Sequence, residues 1–144
     1  MTYGTVSGAR DYATARGLSL PVDDADVSEL LQRANDLLEA KRYQGMKTDL
    51  DQALQWPRTG VWLDGKTLDS DTVPQQVINA EYQFAVELQT QDFAAVQTGD
   101  DLIELTVPGA ITQRWSSGRG LPTSTAVNNW LRGLTINRGF AQRV

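Results

Sequence analysis

The chain has 144 residues, 13 Lys+Arg against 18 Asp+Glu, a net charge of −5, and neither Cys nor His. That length suits one domain able to bury a core without disulfides or a structural metal. The two missing residue types exclude thiol nucleophiles, thiolate and imidazole metal sites, and Ser-His-Asp or Cys-His catalysis.

The polar first residues lack the apolar core of a signal peptide, and no run reaches the ~18–20 apolar residues of a membrane helix. A soluble protein with no membrane partner is expected. Residues 7–16 read as a short helix with Ser7 as a cap candidate and Gly17 as its stop. Val27, Leu30, Leu31, Ala34, Leu37 and Leu38 then form one helical stripe. Asp23, Asp24 and Asp26 begin it, Lys41 and Arg42 end it, and both sets suit the helix dipole. The spacing predicts a helix over 24–42, with Gly45 as a stop. Residues 49–54 look like one or two helical turns. Pro57 holds Gln55 and Trp56 extended, Gly60 permits a turn, and 64–72 reads as a polar loop.

Val73-Pro74 opens a second helix over 74–91, whose wide apolar surface predicts burial on more than one side. From Leu102 the period drops to two, predicting a β-hairpin over 102–115 that turns at Pro108-Gly109. Residues 122–133 read as a short helix with Val127, Trp130, Leu131 and Leu134 inward. The chain from Thr135 to Val144 carries no second apolar stripe. The expected fold is mainly α: a small helical bundle over 1–134 with a late β-hairpin, then an extended tail over 135–144.

Charge is unevenly spread. Residues 1–101 hold eight Lys+Arg against 17 Asp+Glu, a net of −9, whereas 102–144 hold five Arg and only Glu104, a net of +4. Such polarity suits different partners at the two ends.

Tests for chemistry are negative. Ser117-Gly118-Arg119-Gly120 lacks the spacing of a phosphate loop. Asp23-Asp24-Ala25-Asp26 lacks the Gly and Glu of a calcium loop, and Asp69-Ser70-Asp71 is too short for a cage, so no metal and no cofactor are expected. Glu81 and Glu87 fall on different helix faces and make no carboxylate pair, and Glu104 stands alone. No catalytic residue and no enzyme activity are expected. Arg114, Trp115, Arg119, Trp130 and Arg132 are candidates for touching nucleic acid. Against them stand a pI of about 4.6 and the inward placing of Trp130.

The segment Gln52-Ala53-Leu54-Gln55-Trp56-Pro57-Arg58-Thr59-Gly60 resembles the Gln-x-Leu-x-Trp-Pro-Arg-x-Gly signature of head–tail connector (adaptor, head-completion) proteins of tailed bacteriophages. The order of other pieces is similar: Tyr12 to Gly17 as Tyr-Ala-x-Ala-Arg-Gly, Tyr43 to Gly45 as Tyr-x-Gly, and Val73 to Ala80 as a Val-Pro-x-x-Val-x-x-Ala helix start. The stretch 92–101 is shorter than the insertion that such proteins often carry. The resemblance implies a virion structural protein made in the host cytoplasm. It implies a homo-oligomeric ring of twelve subunits bound to the portal protein and to a downstream tail or tail-completion protein. Duplex DNA would pass through its channel without specific binding. Arg132, Arg138, Phe140 and Arg143 would then contact the portal. Trp56, Pro57 and Arg58 would be structural: Trp56 packed on helices, Pro57 fixing the loop, Arg58 tied to an acid or a carbonyl. Some members of this group carry a DnaT-like label, so the alternative is a single-stranded DNA-binding accessory protein.

Overall fold

A computed structural model describes residues 1–90, 104–105, 113–114 and 124–136. Helix α1 spans Val6–Ala15, and its cap is Thr5, not Ser7: the Thr5 hydroxyl accepts the Gly8 N–H at 3.0 Å. It ends as the sequence suggests. Gly17, at φ 65°, lets its own N–H reach Thr14 O and the Leu18 N–H reach Ala13 O, satisfying carbonyls of the last turn.

Helix α2 spans Asp24–Glu39, capped by Asp23, which accepts the Ala25 N–H at 2.9 Å. Its predicted stripe is buried at Val27, Leu31, Ala34 and Leu38. Arg10 fastens the start of α2 to α1, donating to Asp24 at 2.5 Å and to the carbonyls of Pro21 and Val22 at 2.9 Å. The helix stops three residues before the expected end. The Tyr43 hydroxyl folds back to donate to Leu38 O at 2.9 Å, and this leaves Lys41 and Arg42 beyond the helix.

Three short antiparallel pairs follow. Strand β1 (Met46–Lys47) pairs with β2 (Arg58–Thr59), and the intervening 49–54 forms turns in place of helix. Gln52 organises those turns, accepting the Asp49 N–H at 2.9 Å and donating to the carbonyls of Leu54 and Pro57. These local bonds compete with a helix that has few apolar contacts to hold it. The expected loop at 64–72 begins inside a tight hairpin, β3 (Trp62–Leu63) with β4 (Lys66–Thr67). Asp64 and Gly65 both have positive φ, 52° and 77°, the Asp-Gly turn that suits two twisted strands. Strands β5 (Glu104–Leu105) and β6 (Gln113–Arg114) pair antiparallel, within the predicted late hairpin; residues 106–112 lie outside the described set.

Helix α3 spans Gln75–Glu87 and follows Pro74, whose carbonyl accepts the N–H groups of Val77 and Ile78. It ends earlier than 91. Val77, Ala80, Phe84 and Ala85 face the other helices, and Tyr82 faces the N-terminal segment, so the helix is buried on more than one side. A Cβ on Gly4 would fall 2.2 Å from the Tyr82 ring, so glycine there permits that close approach. Helix α4 (Thr125–Trp130) is capped by Ser124 and buries Val127, with Leu131 and Leu134 just past its end. The core lies where α3 meets α1, α2 and α4. The described fold is therefore mixed, with helices ahead of small antiparallel pairs. No helix among the described residues is long and apolar enough to cross a membrane.

Past α4 the backbone returns to the body. Leu134 O accepts the Gln44 N–H, the Ile136 N–H donates to Arg42 O, both at 2.9 Å, and Thr135 bridges Tyr43.

Candidate nucleic-acid interface

The early stop of α2 creates the site. Lys41, Arg42, Tyr43, Gln55, Arg58 and Ile136 line an open groove of about 460 Å³, with the buried Arg58 as its floor. Three cations thus line one groove. Glu39 meets this groove through Gln55, and both its oxygens are engaged, one by the Tyr3 hydroxyl and the other by the Gln55 backbone N–H at 2.8 Å. A second groove, of about 440 Å³, is lined by Asp26, Glu29 and Arg33 among others and carries no net positive charge.

The cations differ in availability. Arg58 is only 8% exposed. Its guanidinium donates to Gln44 O at 2.7 Å, Gly45 O at 2.8 Å, and the backbone and side-chain oxygens of Gln55 at 3.3 and 2.7 Å. It organises the floor and has little left for a ligand. Lys41 is half-buried, and burial lowers its pKa. Its ammonium donates to Asn128 at 3.3 Å and lies 5.7 Å from the Phe84 ring centre. Arg42 is exposed. Arg132 is exposed in the turn just past α4, four residues after the Asn128 that Lys41 contacts.

The Trp-Pro-Arg segment underlies this face. Trp56 is buried edge-on against Tyr43, ring centres 5.4 Å apart, and its backbone N–H donates to the Tyr3 hydroxyl at 3.2 Å. The Trp56–Pro57 bond is cis. Gly45 is required here: at φ 70°, an added Cβ would sit 2.2 Å from Thr59 O.

Other sequence candidates are dispersed. Trp130 is half-buried and committed, donating from its indole N–H to the Tyr12 hydroxyl at 3.0 Å, with Arg16 stacked 3.8 Å above the Tyr12 ring. Of the four residues expected to meet a portal, Arg132 is exposed in the turn past α4, while Arg138, Phe140 and Arg143 lie outside the described residues, as do Trp115 and Arg119. Arg114 is placed only by its pairing in β6.

Two residues escaped the sequence reading. Glu81 was weighed only as half of a carboxylate pair, yet it is fully buried. It accepts the Tyr3 N–H at 3.1 Å, the Gly4 N–H at 2.6 Å and the Asn35 amide at 3.0 Å. Burial raises its pKa and those three donors pull the other way, with burial the larger effect. Glu87, its supposed partner, accepts from Gln83. Trp62 falls between the expected Gly60 turn and the expected 64–72 loop and has no assignment from sequence, although the Asp64-Gly65 beside it is a strong hairpin signal.

With this geometry in view, comparison with known proteins is informative. A family model described as "Putative DnaT-like ssDNA binding protein" matches residues 2–144. The chain belongs to that family. No curated protein and no solved structure matches it.

The family corrects the expectation of a head–tail connector ring in a virion. The match supports the DnaT-like alternative, and nothing supports the portal protein, the tail-completion partner, the twelve-subunit ring or duplex DNA passing unbound. The physical reason lies in the motif that suggested the connector. Gln52, Trp56 and Arg58 are consumed in holding the loop and the groove floor. Residues that fix a fold do not identify what the fold binds.

Proposed function

We propose that this DnaT-like family member binds single-stranded DNA along the face that carries Lys41, Arg42 and Arg132. One observation carries the reading: among the described grooves, the one with net positive charge sits on a chain whose total is −5. Phosphate affinity needs local cations, not a basic total. An acidic body then helps selectivity of placement, since it repels the strand everywhere else. The missing His and Cys favour binding over catalysis as the role.

The test is a titration of a labelled oligothymidylate at several salt concentrations. Each phosphate neutralised on a single strand contributes a slope of about −0.7 in log affinity against log salt. Three cations on one face give a slope of roughly −2 by the same rule. Arg42→Ala should reduce the slope by about 0.7 and weaken binding at low salt. Absence of any binding at about 20 mM salt, where such contacts are strongest, would refute the proposal.

A further inference from the structure

We propose that Trp62 is a base-stacking platform that makes this interface prefer a single strand to a duplex; this rests on the DNA-binding reading above. Trp62 is 60% exposed, whereas Val61 before it is fully buried and Leu63 after it is half-buried and packed on the core. Alternation along β3 therefore turns the indole outward by design of the backbone. The platform is stiff. The hairpin closes through the two-residue Asp64-Gly65 turn, and the Leu68 N–H extends the ladder to Val61 O at 2.8 Å. Backbone ordering therefore adds little to the cost of stacking.

Its position links it to the cations. The Trp62 backbone N–H donates to the Gln44 side-chain oxygen at 3.4 Å. The same Gln44 side chain donates to Gly133 O, and a Cβ on Gly133 would lie 2.8 Å from Leu63. Gln44 follows Arg42 by two residues and Gly133 follows Arg132 by one. The hairpin is thus clamped between the chain segments that carry those arginines, with Lys66 exposed on its second strand and Asp64 as the acid at its tip. Of the other large exposed apolar residues, Val22 adjoins Asp23 and Leu50 lies between Asp49 and Asp51, while Met46 and Ile136 are aliphatic and offer no ring to stack on. An exposed aromatic plane on a hairpin tied to the segments of Arg42 and Arg132 fits a polyanion with exposed π faces, and a duplex hides those faces.

The experiment uses the full chain, an oligothymidylate of about 20 nucleotides, an abasic strand of equal length and the matching duplex, a size that exceeds the single-strand site of one small domain. Trp62→Ala should weaken oligothymidylate binding by about tenfold, with the salt slope unchanged. Trp62→Phe should retain most of the affinity. The abasic strand should bind wild type and Trp62→Ala equally, because it offers charge and no base. Oligothymidylate binding by Trp62→Ala at wild-type strength removes the stacking role and leaves the DNA-binding reading intact. An equal loss for the abasic strand also overturns stacking. A lower sedimentation mass for unliganded Trp62→Ala would mean that the indole covers a second copy of this chain, which overturns it too. Failure of the wild type to bind any strand at low salt removes the interface and the platform with it.

Discussion

Replacing Glu81 by alanine tests how the N-terminal segment is held. The side chain is fully buried and accepts three hydrogen bonds, two from the backbone of Tyr3 and Gly4 and one from Asn35. The substitution strands three donors. A stranded buried donor costs about 1–3 kcal/mol. The lower end applies here, since alanine leaves space for a water and removes the burial of a charge, so the expected loss is about 3 kcal/mol in total. Urea unfolding followed by circular dichroism measures it, and amide exchange at Tyr3 and Gly4 should accelerate in parallel. A loss under about 0.5 kcal/mol, within the range of an ordinary surface change, with unchanged exchange at both amides would refute the reasoning.

The same carboxyl predicts a direction with pH. Its folded pKa is raised by burial, so the folded state holds its proton at a pH where the unfolded chain has released it. The stabilisation from that proton is complete below the unfolded value of about 4.3 and is lost as pH rises through the higher folded value. Glu81→Gln removes the titration, so its stability should be flatter than wild type over that window. A wild-type curve that rises across the window relative to Glu81→Gln would show the opposite sign and sink the account.

Three further outcomes follow from the groove. Arg58→Lys should cost about 2 kcal/mol in thermal unfolding, because one ammonium cannot reach four acceptors spread around a planar guanidinium; a loss near zero would show that those bonds contribute little. Gly45→Ala should destabilise by roughly 2 kcal/mol or more, since it adds a Cβ against Thr59 O at a positive φ, and an unchanged midpoint would refute the required approach. Ending the chain after Leu134 instead of Ile136 removes the Ile136–Arg42 bond, the Thr135 bridge and one groove wall. The shorter form should melt lower and bind the oligonucleotide more weakly, and equal melting would show that this pairing carries no stability.

Much of the secondary structure was legible because its causes are local. The α2 stripe and its Asp23 cap lie within one stretch of chain, and so do Gly17 and the Pro74 start of α3. The Asp64-Gly65 hairpin was equally local and was lost only because the surrounding polarity suggested a loop. Element ends were less legible. The end of α2 depends on Tyr43 turning back onto Leu38, a choice that helix propensity alone does not reveal. The function suggested by Trp56-Pro57-Arg58 failed for a related reason: a motif does not say whether its residues meet a partner or hold the fold, and here Trp56 is buried and Arg58 is spent on neighbouring carbonyls.

The sequence by itself determined the two main helices, the absence of imidazole and thiol chemistry, and the split of −5 into an acidic body and a basic end. Each follows from composition or from residues a few positions apart. Only the tertiary structure decided that Glu81 anchors Tyr3 from 78 residues away, that Lys41 and Arg42 share a groove with Ile136, and that Trp62 stands exposed on β3. Those placements depend on which distant segments pack together. Charge and aromaticity become a site only when packing gathers them on one face.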